Sequence, residues 1–420
     1  MSHRFLCFFS IIGTMLLLSG CWSQKELTEL AIITSLGIDK NEKGEYVGSF
    51  QIIIPSNVGG MMGSGNGEGT PFIVHTATGN NLVEVSDNLS KKISRKQYFS
   101  HTGLVVIGEE LATEEGIMPI FDILDRDTDF RTSASIVIAE NTSAENIIKT
   151  LTPIDRISAE NVLKTMQYTQ QRTGQNIDVK VNDLIRGFIS SSRVPVISSM
   201  RLIGDEERIG KMESLQDTLP DVVIEASGLA VIYDGKLVDL LHGDKSRGAV
   251  WIMDKIKDTS IFIDWKEKKD AVTFHVIRQK TNISAHIKNK TPSISVHVEA
   301  EGNIDGLLVP VNLNDLDEIH RVERKLEEEI KKQLENTIQH MQELKADIFG
   351  FGEAVHRSHP KAWRELEKRW NEDHFPEMKV NVRVDAYVRR SGLRNKSFLN
   401  EVEINKDRIE KGDMGGEGEN

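Results

Sequence analysis

Between Leu316 and Ile348 apolar residues recur at intervals of three and four: Leu316, Ile319, Val322, Leu326, Ile330, Leu334, Ile338, Met341, Leu344 and Ile348. Asp, Glu, Lys and Arg fill the other face. That is the period of a helix with a single apolar stripe. Burying each Leu or Ile of the stripe stabilises by about 1.5–3 kcal/mol relative to leaving it in water, so another surface must cover it. Three stretches of period-two alternation come before it, Ala271 to Arg278, Ile283 to Ile287 and Ile294 to Ala300. They read as antiparallel strands. A coiled-coil dimer would also cover the stripe, but the sheet of the same domain is the favoured partner. The helix is expected to stop before Gly350-Phe351-Gly352, and a last strand, Val380 to Val388, to join the sheet.

The amino terminus carries a different constraint. A cationic start with His3 and Arg4 leads into an uncharged run from Phe5 to Leu18, closed by Leu18-Ser19-Gly20-Cys21. A helix needs about 20 residues to cross a bilayer, so this shorter run reads as an export signal rather than a span. Leu-Ser-Gly-Cys has the form of a bacterial lipoprotein processing site. Small Ser19 and Gly20 let the chain lie extended in a peptidase cleft, and the Cys21 thiol is the nucleophile that would take a thioether-linked lipid. Residues 1–20 are expected to be removed, with Cys21 the acylated first residue. The competing reading is an uncleaved anchor or an ordinary secretory cleavage.

Cys7 lies in that signal and Cys21 would be acylated, and these are the two cysteines of the sequence. No disulfide and no thiolate metal site is then available, so an apolar core must hold the fold. With 39% hydrophobic residues over 420 positions there is material for one, and the length suggests two or three domains. Removing Arg4 with the signal leaves 51 basic against 64 acidic residues, a net charge of −13. That balance argues against a nucleic-acid partner and against electrostatic docking on anionic lipid. Attachment is expected to rest on the lipid. One acyl chain holds only marginally, so stable anchoring takes two chains or a second contact, which a diacyl modification of Cys21 would meet.

The fold expected overall is α+β, in about three domains, with mixed or antiparallel sheets flanked by helices. Residues 21–205 form an amino-terminal α/β region. It opens with a strand, Ile32 to Ile38, a turn at Lys40–Gly44 and a second strand, Tyr46 to Ile54. Helical spacing follows at Leu82, Val85, Leu89 and Ile93, then a strand at Gly103–Ile107, a helix at Gly116–Asp125 and a strand at Ser135–Ala139. Ser143 or Thr142 would cap a further helix, and 159–173 and 181–191 read as helical. Polar residues from 205 to 221 mark a boundary to a middle region, 206–265. There Asp234-Gly235 between two apolar runs predicts a tight hairpin, with a helix at 248–256. In the alternative organisation the strands within 30–55 pair with 222–260, which makes the first domain discontinuous. The carboxy-terminal α+β domain spans 266–400, and 401–420 reads as a disordered tail.

Chemistry-bearing patterns are few. Six glycines between Gly59 and Gly69 invite a phosphate-loop reading. The next element is a strand, however, and no Lys-Ser/Thr pair follows, so a flexible connection is favoured. Neither a Gly-x-Ser-x-Gly elbow nor a Gly-x4-Gly-Lys-Ser/Thr loop occurs. His356 and His359, with His374 or Glu353, have a spacing that would reach a shared metal, but Pro360 disfavours helical geometry there. His101 is read as a structural histidine at a strand entry. The cluster Asp125 to Asp129 lacks the glycine and distal Glu of a calcium loop and is read as an ion-pair network with Arg126 and Arg131. Asn141-Thr142-Ser143 matches a glycosylation acceptor, which a bacterial lipobox makes irrelevant. No catalytic, metal or cofactor residue is assigned, and the lipidation residue is Cys21.

Taken in order, several pieces resemble the Ger(x)C spore germination lipoproteins, the C subunits of nutrient germinant receptors. They begin with Gly20-Cys21-Trp22, Glu26-Leu27, Gly37-Ile38-Asp39, Thr78-Gly79 and Ser100-His101. Next come Ile107-Gly108-Glu109-Glu110-Leu111-Ala112, Gly116-Ile117 and the Arg126 to Arg131 cluster. Gly228-Leu229-Ala230-Val231 through Leu241 follows, then Asp347-Ile348-Phe349-Gly350-Phe351-Gly352-Glu353, with Trp363 and Trp370 last. Ser23 departs from the Asp that often follows Cys-Trp in the family and leaves the lipidation reading intact. The resemblance implies a three-domain α+β lipoprotein on the outer face of the spore inner membrane, non-enzymatic and without cofactor. Its partners would be integral-membrane A and B type subunits. The alternative is a solute-binding lipoprotein that captures a small nutrient for a transporter.

Overall fold

Two β-sheets organise the chain in this computed structural model, which describes residues 27–58, 69–190, 192–215, 218–390 and 402. Cys21, the glycine-rich stretch 59–68 and the tail 401–420, apart from residue 402, lie outside the described residues. The first sheet is ordered β3-β2-β1-β5-β6-β7-β8-β9, with β4 beside β1. Its strands are β1 (Leu30–Lys40), β2 (Tyr46–Ile53), β3 (Phe72–Gly79), β4 (Lys96–Tyr98), β5 (Leu104–Gly108), β6 (Ser135–Glu140), β7 (Val196–Gly204), β8 (Val222–Tyr233) and β9 (Lys236–Leu241). The central run β1-β5-β6-β7 is parallel, whereas both flanks are antiparallel meanders.

Parallel neighbours need a long crossover, and helices supply it. They are α1 (Leu82–Ser90), α2 (Glu109–Glu114), α3 (Met118–Arg126), α4 (Ala144–Lys149), α5 (Ser158–Arg172) and α6 (Val181–Ile189). Val85, Leu111, Phe121 and Leu184 of α1, α2, α3 and α6 pack on one face of the sheet, while Ile147, Ile148, Val162 and Met166 of α4 and α5 pack on the other. Covered on both sides, β5 and β6 are buried at every residue, as their unbroken apolar runs require.

The second sheet, β10 (Thr259–Trp265), β11 (Lys268–Lys288), β12 (Thr291–Leu307) and β13 (Lys379–Arg390), is paired in that order. Two helices pack on it, α7 (Gly243–Ile252) and α8 (Leu316–Glu343). The stripe of α8 is buried at Val322, Leu326, Ile330, Leu334, Ile338 and Met341, against the sheet and α7 of the same chain. Leu229, Val231 and Leu241 of the first sheet belong to that same apolar core, so the two sheets are joined through continuous packing.

Several local readings change. Residues 271–278 and 283–287 form one strand, because Gln279 to Asn282 keep their pairing with β12. The third antiparallel member is β10, a segment not read as a strand from the sequence. β13 does join the sheet but runs parallel to β12, since α8 returns the chain to the end where β12 began. That helix stops at Glu343, five residues short of the stripe's end, and Lys345 beyond it turns to φ 56°. Gly350, at φ 79°, instead precedes the next helix, α9 (Phe351–Ser358). The helix expected at 116–125 is preceded by a separate α2 and starts at Met118, after Gly116 takes φ 92°. β7 was also unread. It sits between β6 and β8, so the strands within 30–55 share a sheet with β8 and β9 without ever neighbouring them. The polar stretch 205–221 merely connects β7 to its antiparallel neighbour β8. Asp234 and Gly235, at φ 50° and 75°, make the expected tight turn.

Candidate functional site

The densest polar construction in the described chain is built on Asp347, just beyond α8. Its carboxylate is fully buried and accepts five hydrogen bonds. Oδ1 takes the backbone N–H groups of Phe349 (3.1 Å), Gly350 (3.0 Å) and Phe351 (3.2 Å). Oδ2 takes Gly352 N–H at 2.7 Å and the indole N–H of Trp370 at 2.9 Å. The donors at Phe351 and Gly352 belong to the first turn of α9, where helix N–H groups have no partner within the helix. Burial pushes the Asp347 carboxyl above its ordinary 3.8, while the N–H donors pull the other way. A Cβ at position 352 would lie 2.7 Å from the Ser192 carbonyl oxygen and 2.8 Å from the Trp363 ring, so glycine is needed for this approach. Val194 N–H bonds the Asp347 carbonyl at 2.8 Å, Arg193 Nε bonds that of Ile348 at 3.1 Å, and Asn371 Oδ1 accepts from Asp347 N–H at 2.9 Å. The knot thereby ties the strand entry of β7 to the carboxy-terminal helices.

A second convergence lies at the carboxyl ends of β1, β5 and β6. Asp39, closing Gly37-Ile38-Asp39, accepts from Ala144 N–H (2.8 Å) and Glu145 N–H (3.0 Å) at the start of α4. Burial raises its pKa from 3.8. Gly108 leaves room for this carboxylate, since a Cβ there would stand 2.3 Å from Asp39 Oδ1. Glu109 accepts from Asn141 N–H at 2.7 Å. Lys40 pairs with Glu115. A crevice of about 550 Å³ opens beside these groups, lined by Asp39, Lys40, Glu109, Glu110, Glu114 and Asn141 among others. Two stretches that are 70 residues apart in sequence, Gly37–Asp39 and Ile107–Glu110, thus meet here.

Other candidates fall elsewhere. His356 stacks on Trp363 at 5.9 Å, and His359 sits between α9 and a helix that starts at Pro360. No group of three or more His, Cys, Asp or Glu suited to a metal ion occurs among the described residues. His101 lies in a short turn before β5, with its ring 5.4 Å from that of Tyr98. Arg126 pairs at 2.9 Å with Asp122, one helical turn away, and not with the carboxylates 125–129 as expected. Ser143, and not Thr142, caps α4 by accepting from Asn146 N–H at 3.1 Å. One Ser–His–carboxylate grouping does occur. Ser227 bonds Glu140 and lies 2.8 Å from Ser199, while His242 Nδ1 is 2.9 Å from the Ser227 carbonyl oxygen and Nε2 is 3.5 Å from Glu140. The hydroxyl meets the carboxylate and not the imidazole, so the arrangement lacks the nucleophile-to-base contact of acyl transfer. Sequence reading missed Arg193, Asn371 and this cluster, because backbone-mediated contacts across such separations leave no local pattern.

The fold and these sites define a two-sheet α+β protein whose buried carboxylates fasten loops and helix starts. Two family models match it: residues 23–202 fit the spore germination protein N-terminal domain, and residues 227–392 fit the spore germination B3/GerAC-like C-terminal domain. Spore germination protein KC of Bacillus subtilis (strain 168) is 41% identical over 384 residues, covering 91% of this chain and 94% of that protein. Spore germination protein B3 of the same strain is 23% identical over 372 residues, covering 87% and 92%. The crystal structure of the GerBC protein superposes with a TM-score of 0.51 at 16% identity, covering 84% of this chain and 96% of that one. The chain belongs to the Ger(x)C family of spore germination proteins.

Proposed function

We propose that the protein is a lipid-anchored, non-enzymatic subunit of a nutrient germinant receptor. It would be tethered through Cys21 to the outer face of the spore inner membrane and act through contacts with membrane-embedded A and B type subunits. The observation that carries this reading is the 41% identity to spore germination protein KC, sustained over 91% of the chain. No helix among the described residues is long and apolar enough to cross a membrane. The solute-binding alternative calls for two lobes that close on a cleft. Here Leu229, Val231 and Leu241 of β8 and β9 share one apolar core with the second sheet, an arrangement that favours the receptor-subunit reading. Cys21→Ala is expected to move the protein from the membrane to the soluble fraction and to impair germination with nutrients. Wild-type germination with a wholly soluble variant would refute the proposal.

A further inference from the structure

The described chain begins at Leu27, and β1 starts at Leu30 at one end of the first sheet. Leu30, Ala31 and Ile32 pair in parallel with Lys96, Gln97 and Tyr98 of β4. The loop into β4 is Lys91-Lys92-Ile93-Ser94-Arg95-Lys96, so four basic residues stand where the chain arrives from its amino terminus. All four are exposed. Lys91 Nζ bonds Asn88 and Lys92 Nζ bonds the Thr76 carbonyl; none of the four forms an ion pair among the described residues. The nearest acids in the sequence are Asp87 and Glu84, which bonds Asn80 and also feels the charge of Lys91, and Glu29 immediately precedes β1. Beside the loop a crevice of about 520 Å³ is lined by Ile52, Ile54, Ile73, Ile93, Lys92 and Arg95, and Ile73 is 46% exposed. An apolar floor with a basic rim thus marks this end of the sheet.

Leu27 is six residue steps beyond Cys21, a reach of at most about 22 Å. An acylated Cys21 therefore holds this end of the molecule close to the bilayer. The opposite end of β1, ten residues on at Lys40, lies about 33 Å away by strand geometry. Counter-ions screen charges beyond about 8–10 Å. The protein's overall negative charge is thus felt little at the membrane, and the local cluster decides. We propose that the Leu30 end of the first sheet, with Lys91, Lys92, Arg95 and Lys96, rests on the anionic headgroups of the membrane as a second contact beside the lipid. This rests on the reading of Cys21 as the acylated residue.

Each basic side chain at an anionic surface favours the docked orientation about fivefold, and Glu29, Glu84 and Asp87 offset three of the four, leaving about fivefold. Full-length lipidated protein carrying Ser94→Cys or Lys43→Cys, labelled with a fluorophore, can be placed on vesicles containing nitroxide-headgroup lipid. On equimolar phosphatidylcholine and phosphatidylglycerol the label at 94 should be quenched and the one at 43 should not. High salt, pure phosphatidylcholine, or Gln at 91, 92, 95 and 96 together should relieve the quenching, the last shifting the docking equilibrium at least about fivefold. Protein that floats with the vesicles but is quenched equally at both positions, or whose quenching ignores salt and lipid charge, overturns the inference. Protein that does not float at all overturns the anchor itself, and this contact with it.

Discussion

Replacing Asp347 by Asn tests whether the buried knot is held by its acceptors. The amide keeps nearly the same shape, and its oxygen can stay at Oδ1 with the N–H groups of Phe349, Gly350 and Phe351. Its NH2 group then faces the N–H groups of Gly352 and Trp370, two donors against a donor. A buried donor left without a partner costs about 1–3 kcal/mol, so the two cost about 2–6 kcal/mol. The neutral amide is easier to bury than a carboxylate, which offsets part of this and leaves about 3 kcal/mol. With an unfolding entropy near 2.1 cal/mol/K per residue, that loss lowers Tm by roughly 4 °C for a chain of this length. The assay is thermal unfolding of Asp347→Asn, Trp370→Phe and the double variant, followed by circular dichroism. Trp370→Phe removes one of the two opposed donors. The double variant should therefore be at least about 1 kcal/mol more stable than the two single losses added together. A Tm within 1 °C of wild type for Asp347→Asn, or strict additivity, would refute the account.

Two further outcomes follow from single contacts. Glycine inside a helix usually costs about 0.5–1 kcal/mol against alanine, yet a Cβ on Gly248 of α7 would meet Thr337 Oγ1 at 2.2 Å and the Gln333 carbonyl oxygen at 2.9 Å. Overpacking of about 1–3 kcal/mol should exceed the propensity gain, so Gly248→Ala lowers stability in urea titration; a more stable variant would show that α7 and α8 are not in close contact. At Asp39, burial raises the folded-state pKa above the unfolded value. The folded chain then binds that proton more tightly, and the stability so gained is present at low pH and lost as pH rises through the folded value. The Tm of wild type minus that of Asp39→Asn should fall as pH rises above the ordinary carboxyl value of 3.8; a difference that is flat or grows with pH contradicts the burial argument.

What the sequence carried was whatever repeats locally. The stripe of α8 and the alternation of β11 and β12 are local periodicities, and they identified a helix on a sheet. The Asp-Gly turn was legible because only a few residue pairs accept positive φ at both positions. β10 was missed because Thr259 to Trp265 carries Ser260 and Asp264 and is flanked by Lys257-Asp258 in the polar stretch that follows α7. β7 was missed because its first half is Val-Ile-Ser-Ser-Met, buried throughout, so that serines sit where an apolar run would be sought. Ser198 answers this by bonding Ile177, and Ser199 by bonding Ser227. Both partners are remote in sequence. The same holds for the Asp347 knot, in which the Asp and its backbone donors are contiguous and Trp370 is not.

Under the proposed anchoring at Cys21, the placement of β7 also determines how the molecule answers force at that end. β1, which starts nearest the expected anchor, is connected through β5 and β6 to β7 by parallel ladders. The entry of β7 is in turn fastened to the Asp347 loop by Val194 and Arg193. Continuous backbone hydrogen bonding therefore runs from the amino-terminal end of the first sheet to the carboxy-terminal helices. The shared apolar core runs beside it from β8 and β9 into the second sheet. A close-packed interior of this kind does not deform gradually; it moves as a body or rearranges between discrete packings. If the proposed anchoring at Cys21 and membrane partner hold, a displacement imposed on one sheet would thus reach the other as rotation of the whole protein about that anchor. That is a different motion from the lobe closure by which a solute-binding protein reports its ligand.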